Sequence, residues 1–129
     1  MVIDRVPSDG YWSNHWIKDP IHFGNLNARP TPDILFSLLY QSEAAWNESG
    51  YKSEKFDSML IEARGLLDQA KRKEIYGEMQ AMVANEAGTV IPVFQSNLDG
   101  VSPKLKGLVA NPLGGMMGYT FSEYAWLEA

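Results

Sequence analysis

The clearest repeat of apolar positions lies in the middle of the chain. Phe56, Met59, Leu60, Ala63 and Leu67 stand at i, i+3, i+4, i+7 and i+11, the spacing of one buried helix face. Ser53 precedes them as a candidate N-cap, which predicts a helix from Glu54 to about Leu67. Asp68 caps the next predicted helix, Gln69 to about Ala87, with Gly88 as its stop. Its apolar face is Ile75, Met79, Met82 and Val83, with Tyr76 beside it. Almost no linker separates the two helices, so an antiparallel or angled hairpin is expected.

Upstream the pattern shortens. Thr31-Pro32-Asp33 combines a capping hydroxyl, a proline at the first helical position and an acid near the positive helix end. The stripe that follows is Ile34, Leu35, Leu38 and Leu39, and the helix fades after Tyr40. A shorter helix is expected from Asp9 to about Ile17, capped by Ser8 or Asp9 and ended by Pro20. Its Tyr11, Trp12, His15 and Trp16 crowd one face, which serves either a core or a ligand cleft. Asp19 to Pro30 reads as a loop, and Ser42 to Lys52 as a polar linker carrying Trp46. That linker also contains Asn47-Glu48-Ser49, a glycosylation sequon of the kind that arises by chance.

Strand signals are weaker. Val2, Ile3 and Val6 look like the end of a strand, either an ordinary first strand or one whose neighbours belong to a longer protein. Thr89 to Phe94 is a short apolar run in which Pro92 belongs at an edge or an end. Leu108-Val109-Ala110 suggests another short strand, and Trp126 an anchor for the tail. The expected fold class is α+β and helix-rich, with residues 1–129 as a single domain. No basic stretch leads into an apolar run of about 7–15 residues, and no run reaches about 18 apolar residues. Neither a signal peptide nor a membrane span is therefore expected within this chain.

Composition narrows the function. The 129 residues carry a formal net charge of −5, which argues against nucleic-acid binding through phosphate neutralisation. With 45% hydrophobic and 21% charged residues the chain is globular rather than disordered. The absence of cysteine removes disulfides, thiolate metal sites and cysteine nucleophiles together. Four Trp, six Tyr and five Phe are a heavy aromatic load. Trp12, Trp16, Trp46 and Phe94 all lie near loops, where such rings either fill a core or stack on sugars and peptides.

Catalytic chemistry is thin, so no catalytic residue, metal site or cofactor is assigned. His15, Asp19 and His22 form a conceivable metal trio, the basis of a small metal-dependent enzyme, but Pro20 breaks the helical register that would align them. Surface or capping roles suit these histidines better. Gly114-Gly115 before Met116-Met117-Gly118 is a turn without the lysine or capped helix of a phosphate cradle. The carboxylate pairs Asp57 with Glu62, and Asp68 with Glu74 and Glu78, lie on polar helix faces.

Several segments taken in order resemble one family. Pro7 to Trp12 with Trp16, Arg29-Pro30-Thr31-Pro32-Asp33, Ala45-Trp46-Asn47 and Phe56 to Arg64 follow its pattern. So do Asp68, Arg72, Tyr76, Glu78-Met79-Gln80, Gly88 and Ile91-Pro92-Val93-Phe94. The chain resembles, along nearly its whole length, the C-terminal part of the solute-binding proteins of peptide-type ABC importers. The resemblance implies part of the second lobe of a two-lobed, periplasmic-binding-protein-like α/β receptor, with Ile91 to about Gly100 as the crossing back to an absent first lobe. It further implies a small-molecule or peptide solute, an ABC permease as partner, and a periplasmic or extracytoplasmic, membrane-associated location for the longer parent.

In peptide receptors of this family, a loop in this region follows a tryptophan and presents an acid to the peptide's α-ammonium. Here the matching loop is Asn25-Leu26-Asn27-Ala28-Arg29, with Leu26 in place of the tryptophan and no acid before Asp33. Arg29 offers a fork of donors suited to a carboxylate or phosphate, which leaves an anionic or sugar-like solute open. The alternative is an ion pair between Arg29 and Asp33 at the helix start. Trp12, Asn27, Arg29, Trp46, Phe94 and Asn97 are the expected ligand-binding residues. Without its first lobe the chain is expected to self-associate, as a dimer swapping helices or its N-terminal strand. The competing reading is a stand-alone interaction module, or gene remnant, with no ligand of its own.

Overall fold

The computed structural model describes residues 2–128; residues 1 and 129 lie outside the described residues. The chain forms two compact units. One comprises the residues up to Asn25 together with Thr31–Val90, and the other Leu26–Pro30 with the residues from Ile91 onward.

The first unit is helical: α1 is Tyr11–Asn14, α2 Pro32–Leu39, α3 Glu54–Gly65 and α4 Gln69–Glu86. Three of the four starts are the capped ones. The Thr31 hydroxyl accepts from the Ile34 N–H at 3.4 Å and the Ser53 hydroxyl from the Phe56 N–H at 3.2 Å. The Asp68 carboxylate accepts from the Ala70 and Lys71 N–H groups at 2.9 and 3.3 Å. Each cap satisfies amides that the first helical turn leaves without an intrahelical partner. Gly88, just past the Ala87 C-cap, has φ of 67°, a conformation that glycine adopts at no steric cost.

Packing of α3 against α2 and α4 makes the core. Phe56, Leu60 and Met79 are fully buried at its centre, with Phe36, Leu39, Tyr40, Met59 and Met82 around them. The Phe56 ring meets Phe36, Tyr40 and Tyr51 edge-on, at centroid distances of 5.4, 6.5 and 5.7 Å. Asp33 bolts the three helices together at one end. Its carboxylate accepts from Arg64 Nε at 2.8 Å and Nη2 at 3.3 Å, and from the Tyr76 hydroxyl at 3.4 Å. Burial and then the Asp33 charge push the Tyr76 phenol above the ordinary tyrosine range, which keeps it a donor. The Asp33 bond likewise holds the Arg64 proton more firmly.

Ser42 to Lys52 forms turns without a helix or strand, as its polarity predicts. It is nevertheless well fixed, because Asn47 is buried and fully used. The Asn47 amide donates to the Gln41 and Tyr51 carbonyls at 3.4 and 2.6 Å, and its oxygen accepts from Tyr51 N–H at 3.1 Å and Ser49 Oγ at 3.2 Å. In the folded chain that nitrogen is therefore not free to carry a glycan.

Several expectations are corrected. The first helix is only Tyr11–Asn14, because Gly10 stands at the N-cap without a side-chain cap and Ile17 turns to φ of 61°. Residues 2–7 and 89–94 form no strand, since among the described residues neither stretch has a strand to pair with. On α2, Ile34 is exposed and Phe36 takes the core position beside Leu39, with Leu35 and Leu38 half-buried. Leu67 falls beyond the end of α3 and is 93% exposed.

The second unit contains the one sheet among the described residues, β1 (Leu105–Lys106) antiparallel to β2 (Trp126–Leu127). Lys106 pairs with Trp126 across it, so Trp126 anchors the tail as expected, while the short strand expected at 108–110 falls instead at Leu105–Lys106. Gly107 permits the close approach. It has φ of 84°, and a side chain there would run into the Tyr124 carbonyl oxygen. Gly115–Gly118 makes a tight turn whose Met116 N–H donates to the Asp99 carboxylate at 2.8 Å. A carboxylate already holds this amide, which removes the turn as a phosphate cradle. The fold is thus helix-rich with a minimal sheet, and no helix among the described residues is long and apolar enough to cross a membrane.

Candidate functional site

At the α1 end of the first unit, the chain assembles a line of aromatic rings. Trp12 and Trp16 share a face of the α1 region because they are four residues apart. Their ring centroids lie 5.3 Å apart at an interplanar angle of 78°. Trp46 extends the line from the turn-rich linker, 5.7 Å from Trp16 and again edge-to-face at 77°. Tyr11 adds a fourth ring, 5.4 Å from Trp12. These are the offset, edge-on geometries that aromatic quadrupoles favour. The Trp16 indole N–H donates to the Glu48 carboxylate, which fixes the middle ring.

The loop after α1 is tied back to it. The Tyr11 hydroxyl donates to the Phe23 carbonyl at 2.6 Å and accepts from the Phe23 N–H at 3.2 Å. Beside this clasp runs an open groove of about 480 Å³, lined by Val6, Pro7, Tyr11, Trp12 and Phe23 among others. Trp12 is 55% exposed and Trp46 39% exposed. A surface of indole faces next to an apolar groove is suited to stacking on a planar or ring-shaped solute.

Trp12 and Trp46 are thus joined through Trp16, and neither belongs to the core formed by α2, α3 and α4. The remaining expected residues lie in the second unit. Arg29 Nη1 donates to the carbonyls of Asn27 and Ala28, at 3.0 and 3.2 Å, so the guanidinium braces its own loop. This corrects the Arg29–Asp33 pair, because Asp33 takes Arg64 and Tyr76 as its partners. Asn27 is exposed, as are Phe94 and Asn97 on an extended stretch without secondary structure. Sequence reasoning passed over the Tyr11–Phe23 clasp, which carries no sequence signal, and the pivotal place of Trp16, which its spacing from Trp12 does signal.

The histidines take local roles. His15 Nδ1 lies 2.8 Å from the Asp19 carboxylate, and His22 Nδ1 lies 3.1 Å from the Asp19 carbonyl oxygen. His22 thus meets the backbone rather than the carboxylate of Asp19. Among the described residues no three His, Cys, Asp or Glu side chains are grouped to hold a metal ion.

Similarity to curated binding proteins stands beside this geometry. Over 94 residues, 71% of the chain, it is 30% identical to heme-binding protein A of Haemophilus influenzae. It is 29% identical over 86 residues to a dipeptide-binding protein of Escherichia coli. A third relative, the dipeptide-binding protein DppE of Bacillus subtilis, is 22% identical over 81 residues. The aligned parts are 17%, 16% and 15% of those proteins, so the chain spans about a sixth of the length of the curated relatives it matches. No family model matches the chain, and no solved structure matches it.

Proposed function

We propose that this chain is part of the second lobe of a two-lobed solute-binding protein serving an ABC importer. The observation that carries the reading is the Trp12–Trp16–Trp46 line beside its groove. Such a surface acts by stacking and needs no bond-making step. The likeness to heme- and dipeptide-binding proteins supports a small-molecule or peptide solute. Trp12 and Trp46 of the first unit would stack on it; Asn27, Arg29, Phe94 and Asn97 of the second unit stand as a separate proposal of ligand-binding residues. In the longer parent, outside the cytoplasm, lobe closure around the solute precedes docking on the membrane permease.

The test is a titration of the longer parent with dipeptides, heme, and sugar-like and anionic solutes, followed by melting temperature. A ligand that raises it should do so less for Trp12→Ala and Trp46→Ala, each weakening affinity by about three- to tenfold. Full affinity in both variants would remove the aromatic line from the site.

The extended stretch supports the accompanying proposal of self-association. Val93, Phe94 and Leu98 are 66%, 87% and 91% exposed, and among the described residues 91–98 make no backbone hydrogen bond. Unpaired backbone flanked by apolar side chains favours pairing with another chain. Sedimentation velocity on the 129-residue chain should show a dimer or larger species; a monomer at all concentrations would count against it.

A further inference from the structure

A second recess lies at the opposite functional pole from the aromatic line in chemistry, though within the same unit. It is a cleft of about 610 Å³ where the starts of α2 and α4 meet the end of α3. Its charged lining is Asp33, Arg64, Arg72 and Lys73. Asp33 is already committed to Arg64 and Tyr76. Arg72 and Lys73 have no carboxylate within ion-pair distance among the described residues. Two positive charges therefore stand uncompensated in one cleft of a chain whose formal net charge is −5.

Arg72 adds an independent sign. One of its terminal nitrogens donates to the Leu66 carbonyl, which fixes the guanidinium against the end of α3. Its Nε has no hydrogen-bond partner but is closed to water, and so to a ligand as well. The donor left for an oxyanion is the other terminal nitrogen, Nη1, which makes no hydrogen bond among the described residues and is not closed off. Lys73, one residue on, brings a mobile point charge to the same cleft. The volume exceeds what a bare inorganic anion fills and falls in the range of small-molecule sites, about 300–1,000 Å³. The Tyr76 ring and Pro32 give it an apolar wall.

We propose that this cleft binds a small organic phosphate, its dianionic head on Arg72 and Lys73 and its body along Tyr76 and Pro32. A dianion matches the two uncompensated charges, with the Arg72 Nη1 donor and the Lys73 ammonium as its partners. The site is separate from the aromatic groove and stands or falls independently of the transport reading.

The experiment is an NMR titration of ¹⁵N-labelled chain with phenyl phosphate, inorganic phosphate and phenol, each at matched ionic strength. Phenyl phosphate should shift resonances around Arg72, Lys73 and Tyr76 saturably, inorganic phosphate should shift the same resonances more weakly, and phenol should shift none of them. Lys73→Met, an exposed position whose loss leaves the core intact, should weaken phenyl phosphate by about tenfold, the effect of one charge-assisted contact. An unchanged spectrum of that variant without ligand separates lost binding from lost folding. The proposal is overturned if no saturable shift occurs, if phenyl phosphate binds no tighter than inorganic phosphate, or if Lys73→Met binds as the parent does.

Discussion

Phe56→Ala should cost the first unit about 3–5 kcal/mol, the range for removing a buried phenylalanine ring. The ring is fully buried on α3 and is the meeting point of Phe36 from α2, Tyr40 after it, and Tyr51 from the linker. Three aromatic neighbours leave a rigid wall that collapses poorly into the space, which puts the cost towards the upper end. A domain this small has about 5–15 kcal/mol of total stability, so the loss is a large part of the whole. Thermal melting followed by far-ultraviolet circular dichroism should drop by more than about 10 °C, or lose its cooperativity. A melt within 2–3 °C (about the reach of a surface substitution) would show that the ring is not the centre of the core.

Asn47→Ala should lower stability by roughly 2 kcal/mol through a different cause. Little apolar area is lost; the damage is to the Gln41 and Tyr51 carbonyls and the Tyr51 amide, which lose their Asn47 partner. A buried group left unsatisfied costs about 1–3 kcal/mol. Asn47→Asp separates polarity from shape. It keeps the volume and the acceptor but loses both donors and sets a negative charge against two carbonyls. Asp is therefore expected to be at least as harmful as Ala in chemical denaturation. If Asp proved neutral, the hydrogen-bond account of this linker would be wrong.

The helical half of the fold was legible because its information is local. Ser53, Thr31 and Asp68 sit where an N-cap must sit, and the apolar spacing of α3 and α4 names their buried faces. Errors arose where a residue's fate depended on a distant partner. Ile34 and Phe36 are equally apolar, and only the position of α3 decides that Phe36 is buried and Ile34 exposed. Thr89 to Phe94 has strand composition, but a strand needs a neighbour, and composition does not supply one. The aromatic surface was half legible. Spacing groups Trp12 with Trp16, whereas Trp46 joins them from thirty residues along the chain (a step of Trp16 to Trp46 that no local pattern encodes). The cation-lined cleft was hidden for the same reason, because Asp33 and Arg64 are 31 residues apart in sequence.

The distribution of indoles has an optical consequence. Trp12, Trp16 and Trp46 lie in a single chain of contacts, Trp126 lies in the other unit, and the core around Phe56 contains none. Intrinsic fluorescence from this protein therefore reports on the ring line and the tail strand, while helical dichroism reports on α2, α3 and α4. Three neighbouring indoles also exchange excitation among themselves, so quenching at one dims its neighbours. The two signals are built into separate places, and any interval between their transitions would measure how far the aromatic surface loosens before the helices do.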